Sequence, residues 1–95
     1  MENMLVGTLK VRLVIREARS LKDKRQVVTS IKDKLRNHFN ISIAEVDEQD
    51  NRQLAVLGIA MVSNETQHLR KALSQVVEAL RCHPVAELVD HEIEA

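Results

Sequence analysis

The apolar positions of this chain repeat with two different periods, and the alternation between them sets out the fold. Leu5, Leu9, Val11, Leu13 and Ile15 alternate with Thr8, Lys10, Arg12, Val14 and Arg16. A period of two is that of a strand, here with one buried face and one partly basic face. Ser20 follows as an N-cap whose hydroxyl can accept from a free first-turn amide, and Asp23 can serve the same helix end. From Leu21 to Phe39 the period becomes helical, with Leu21, Val28, Ile31, Leu35 and Phe39 on one stripe and Asn37 and Asn40 as stop residues.

Ile41 and Ile43 alternate with Ser42 and Ala44 and open a second strand. The segment Asp47–Asn51 is a polar turn. Leu54 to Val62 is apolar on both faces, as a strand in the middle of a sheet would be. Ser63 or Asn64 is the expected cap of a second helix whose buried stripe is Leu69, Ala72, Leu73, Val76 and Leu80. Pro84 ends that helix, and Val85 to Ile93 supplies a partly charged last strand.

The order is thus strand, helix, strand, strand, helix, strand. Two helices with one apolar stripe each must cover the same sheet face. The right-handed crossover rule then predicts an α+β, ferredoxin-like sandwich with spatial strand order 4-1-3-2. On the third strand Ala55, Leu57, Ile59 and Met61 are assigned to the covered core. Val56, Ala60 and Val62, beside Val14 of the first strand, are left on the open face as an expected interface. Lys10, Arg12 and Arg16 flank that strip and would repel their copies, so a weak homodimer or a heterologous partner is expected, not a tight dimer.

The chain has 95 residues, the size of a single domain spanning residues 1–95. Val, Ile and Leu supply 29 of them, while Phe39 is the sole aromatic, which excludes mechanisms built on aromatic stacking. With Cys82 as the single cysteine, there is no internal disulfide and no multi-thiolate metal site. The apolar run Leu54–Val62 is far short of a membrane span, and Met1-Glu2-Asn3 shows no secretory signal. A reduced, cytoplasmic setting with no membrane role is expected.

Net charge is zero but unevenly placed: residues 1–40 hold ten basic side chains against four acidic, and residues 41–95 hold four against ten. The basic half converges on the first helix, where Lys22, Arg25, Lys32 and Arg36 form a ridge at helical spacing. Arg19, Lys22, Lys24 and Arg25 crowd the first turn, where cations oppose the helix dipole at about a few tenths of a kcal/mol each. Lys24 projects toward the core side, and its ammonium is expected to snorkel to the rim. The two readings of this cluster are a polyanion-binding surface and internal pairing with the acidic half.

No catalytic constellation can be assembled. Cys82 and His83 are adjacent and lack a third group to orient them. His38, His68, His83 and His91 fall in different elements, and alternation sends His91 to the face opposite Asp90 and Glu92. The turn with Asp47, Glu48 and Asp50 lacks the glycine and terminal glutamate of a calcium loop, and there is no glycine-rich phosphate loop. No metal, cofactor or small-molecule substrate is expected, and the chain reads as a non-enzyme.

The segment Arg19-Ser20-Leu21-Lys22-Asp23-Lys24-Arg25-Gln26-Val27-Val28 resembles the S-L-K-[DE]-K-R signature of the YlxP-like family, bacterial domains of unknown function. The similarity continues through Phe39-Asn40-Ile41-Ser42-Ile43-Ala44-Glu45-Val46 and through Asp50, Gln53, Ala55 and Leu57-Gly58-Ile59-Ala60. The resemblance implies a ferredoxin-like fold in a cytoplasmic bacterial protein. It also implies genes beside those for translation initiation and ribosome maturation, for which relatives are labelled ribosome-binding factors without an established activity. Many relatives carry Trp where this chain has Arg52. Together these readings predict a partner in ribosomal RNA or a ribosomal particle, contacted by Arg19, Lys22, Lys24, Arg25, Lys32 and Arg36, with Lys10 and Arg12 of the strand face. The alternative is a protein-interaction or dimerisation module that uses the open sheet face.

Overall fold

The structure, a computed structural model, describes residues 4–95; the reading of residues 1–3 lies outside it. Six elements follow in the expected order: β1 (Leu5–Val14), α1 (Leu21–His38), β2 (Ser42–Asp47), β3 (Leu54–Ser63), α2 (Thr66–Arg81) and β4 (Glu87–Glu94). The strands form one antiparallel sheet in the order β2-β3-β1-β4, the ferredoxin-like arrangement expected from the sequence. Both central strands are the most apolar ones. The edges carry charge, as edges must if they are not to recruit further strands.

One face of the sheet holds the core. Leu9, Val11 and Leu13 face Ile59, Leu57 and Ala55 in register, and Val28, Ile31 and Leu35 of α1 and Leu69, Leu73, Val76 and Leu80 of α2 close over them. Ala55, Leu57, Ile59 and Met61 lie in this core as the alternation predicts. Two bulges adjust the edges. The β1–β4 register shifts between Arg12 and Leu13, leaving Val89 unmatched, so that Leu88 and Ile93 both pack on the core despite their odd spacing. The β2–β3 register shifts between Glu45 and Asp47, and the unmatched Val46 folds over Gly58 on the open face. A Cβ on Gly58 would stand 2.9 Å from Val46 Cγ1, so only glycine leaves that side chain its place.

Ser20 caps α1 as expected: its Oγ accepts from the Asp23 amide at 3.1 Å, and the Asp23 carboxylate accepts from the Arg19 amide at 3.0 Å. The cap of α2 differs from the expectation. Glu65 occupies the N-cap position without a side-chain cap, and Ser63 Oγ accepts from the Glu65 amide at 3.3 Å instead. β3 runs to Ser63, which places the serine in the strand and moves the cap to Glu65, two residues past Ser63 and one past Asn64.

The last strand also starts later than the expected Val85. His83 Nδ1 accepts from the amides of Val85 at 3.2 Å and Ala86 at 3.0 Å, and this turn occupies the residues that would have begun β4. Burial, and then the nearby Lys34 ammonium, lower the His83 pKa below its ordinary value of 6.5. The native imidazole is therefore neutral where the unfolded one is charged. Below about pH 6.5 the unfolded chain binds the extra proton, so stability falls with falling pH until the native ring titrates as well. His83→Asn, which keeps an acceptor and loses the titration, should flatten this part of the profile. Melting temperatures between about pH 7.5 and pH 5.5 check it, and equal slopes in both proteins would assign the acid loss to other groups.

Candidate nucleic-acid interface

α1 presents its buried stripe to the sheet and its cations to solvent. Lys22, Arg25 and Arg36 are exposed and Lys32 is half-buried. Among the described residues Lys22, Arg25 and Lys32 form no ion pair, while Arg36 has Asp33 at 3.9 Å and donates to the Ile43 carbonyl at 3.0 Å. Arg36 thus tethers α1 to β2 as well as facing outward. Asp23 is engaged at the helix cap and leaves the ridge without a close carboxylate there.

Lys24 is not part of this surface. The expectation that its ammonium reaches the rim is corrected: the side chain is 0% exposed. Its Nζ lies 2.8 Å from Glu45 Oε2 and donates to the carbonyls of Glu48 at 2.9 Å, Leu54 at 3.2 Å and Gln49 at 3.3 Å. Four oxygens surround three N–H groups, so no donor is left for a ligand. Glu45 reaches it because β2 pairs Ile43 with Ile59 and Glu45 with Leu57, which turns both Ile43 and Glu45 to the helix side. The signal was present in the sequence: Glu45 continues the inward alternation of Ile43, and Lys24 continues the stripe of Val28, Ile31 and Leu35.

Lys10 and Arg12 lie on the other side of the molecule. They alternate with Leu9, Val11 and Leu13 and so occupy the sheet face that the helices do not cover, opposite Glu92 and Asp90 of β4. No ion pair joins them to those acids among the described residues. The cations predicted for one interface are therefore divided between two surfaces. The expected interface strip is also altered. Val56 is 0% exposed, a correction, while Val14 and Ala60 are half-buried and Val62 is 57% exposed beside its register partner Val6. Val56 lies between its register partners Arg12 of β1 and Asp47 of β2, and Val46, displaced by the β2 bulge, lies over Gly58.

One group of cations was missed by reading along the chain. Arg16, Arg19 and Arg52 line a cleft of about 550 Å³ at the end of the sheet beside the start of α1, together with Glu17, Ala18 and Gln53. β1 and β3 pair Val14 with Leu54, and the Ile15 amide donates to the Gln53 carbonyl at 2.7 Å. Arg16 and Arg52 lie just outside this pairing and line the cleft at its end. Gln53 Nε2 donates to the carbonyls of Arg16 at 3.0 Å and Ala18 at 3.4 Å, and this stitches the hairpin end to the loop before α1.

Among the described residues no three metal-ligating side chains cluster, and no helix is long and apolar enough to cross a membrane. Fold and surface define a small ferredoxin-like α+β domain with a basic helix face. The chain belongs to the family described as a protein of unknown function (DUF503), whose model matches residues 6–93. It is similar to the uncharacterized protein YlxP of Bacillus subtilis (strain 168), 35% identical over 83 residues that cover 87% of this chain and 90% of that protein. The YlxP-like resemblance read from the residues is thereby shown.

Proposed function

We propose that this protein is a non-catalytic RNA-binding factor that engages ribosomal RNA or a ribosomal particle through the outer face of α1. The observation that carries this reading is the row of cations Lys22 and Arg25, exposed, and Lys32, half-buried, which no carboxylate neutralises among the described residues. Unpaired Lys and Arg on one face supply the counterion-release affinity on which phosphate-backbone binding rests. No phenyl, phenol or indole ring is offered to bases, because Phe39, the single aromatic, packs against the core. The contact is thus with backbone and shape. The resemblance to a family whose genes lie beside translation genes directs the reading toward ribosomal RNA.

The test is co-sedimentation with ribosomal subunits, and binding to a ribosomal RNA fragment, at about 50 mM and about 200 mM salt. About four phosphate contacts should weaken binding on the order of 100-fold across that range. Replacing Arg25, Lys32 and Arg36 together by Ala should remove most of the affinity. The variant should stay folded, because exposed ion pairs contribute about 0–1 kcal/mol and the Arg36 hydrogen bond about 1 kcal/mol. Unchanged affinity in the triple variant would exclude this surface.

A further inference from the structure

We infer that the cleft between Arg16, Arg19 and Arg52 is a site for a phosphomonoester dianion. Three arginines from two segments line it: Arg16 and Arg19 from the loop between β1 and α1, and Arg52 from the end of the β2–β3 hairpin. Arg16 and Arg52 lie just outside the last paired positions of β1 and β3 and line the same cleft, where their like charges repel. Glu87 relieves only Arg16, with its Oε2 2.9 Å from one guanidinium nitrogen and 3.1 Å from Nε, in an exposed pair. Glu17 is the one carboxylate lining the cleft, and among the described residues it pairs with none of the three arginines. The Arg19 and Arg52 guanidinia have no hydrogen-bond or ion-pair partner among the described residues. Gln53 Nε2 donates to the backbone carbonyls of Arg16 and Ala18 and so ties the hairpin end that carries Arg52 to the loop that carries Arg16 and Arg19.

Guanidinium forks match phosphate oxygens in pairs, so two free forks lining one cleft with a third suit a terminal phosphate with three free oxygens better than a singly charged diester. The inference rests on the RNA reading only for the origin of that phosphate, which is either the end of an RNA strand or a free nucleotide.

The experiment measures fluorescence anisotropy with a short oligoribonucleotide carrying a 5′-phosphate or a 5′-hydroxyl. In parallel, adenosine 5′-monophosphate is titrated while the arginine Nε–Hε resonances are followed. Tighter binding of the 5′-phosphorylated strand, by about tenfold for each guanidinium engaged, supports the site with an RNA end as its ligand. Arg19→Gln with Arg52→Gln should erase that difference. Both side chains are exposed, so this variant keeps the fold. Shifts of the Arg19 and Arg52 resonances by the nucleotide, with no preference between the strands, support the site with a free nucleotide as its ligand. Nucleotide binding without any binding of the 5′-hydroxyl strand would remove the RNA reading and leave the cleft standing. Neither a strand preference nor a resonance shift, or a phosphate effect that persists in the double variant, overturns the inference.

Discussion

Lys24→Met should cost about 3–5 kcal/mol of stability, the range for removing one partner of a buried ion pair. Glu45 would keep its carboxylate with no cation, and Oε2 has no other hydrogen-bond donor; its 2.8 Å contact with Nζ is a charge contact more than an aligned hydrogen bond. The carbonyls of Glu48, Gln49 and Leu54 would lose their shared donor as well. A domain of this kind holds about 5–15 kcal/mol in total, so the variant should melt well below the parent or fail to fold. Adding Glu45→Leu to Lys24→Met should recover part of the loss, because the stranded carboxylate is gone, but not the part due to the carbonyls. Urea unfolding of the parent and both variants measures this. A single variant within about 1 kcal/mol of the parent would mean that the ammonium does not hold the hairpin.

The second large effect lies on the same helix. Ile31 and Leu35 are 2% and 5% exposed and pack on the sheet beneath α1. Truncating either to Ala removes apolar contact and leaves a cavity that the surrounding core closes only in part, at about 2–5 kcal/mol. In a domain of this size that is a fall of at least about 10 °C in melting temperature. The double variant should not reach the sum, since the two side chains border one space and the first cavity relaxes the second site. Melting temperatures near the parent value for both single variants would displace the buried stripe to another face of the helix. If Lys24→Met is disruptive while Arg25→Ala is silent, two adjacent cations of the same motif have opposite roles, one inside and one outside.

That division bears on how the protein would bind a polyanion. Lys24 is spent on the 48–54 segment of the hairpin, which in turn carries Arg52 to the cleft. The core lysine and the surface arginines are thus parts of one arrangement: a buried charge fixes the loop, and the fixed loop presents an exposed charge beside the head of α1. The basic half of the chain is divided accordingly, with its ridge on α1, its cleft at the sheet end, and Lys10 and Arg12 on the uncovered face.

Element order, the helix stripe and the core side of β3 were legible because their causes are local. Period two and period 3.6 are properties of successive residues, and Ser20 with Asp23 marks a helix start within four positions. Strand order followed from those elements and from handedness alone. The ends of elements were less legible. Ser63 could serve as strand residue or cap, and the pull of β1 pairing decided for the strand. Val85 has the composition of a strand residue, but its amide is taken by His83.

By itself, then, the sequence determined the ferredoxin-like fold, the family and a helix with a cationic ridge. Only the tertiary structure decided that the Lys24 ammonium meets Glu45 and the hairpin carbonyls instead of the rim, that Val56 is covered, that Lys10 and Arg12 are cut off from the ridge, and that Arg16, Arg19 and Arg52 line one cleft. Each of these depends on which residue faces which across strands far apart in the chain. A single bulge such as that at Val46 shifts one partner by a full residue, and a residue's period cannot reveal what stands opposite it.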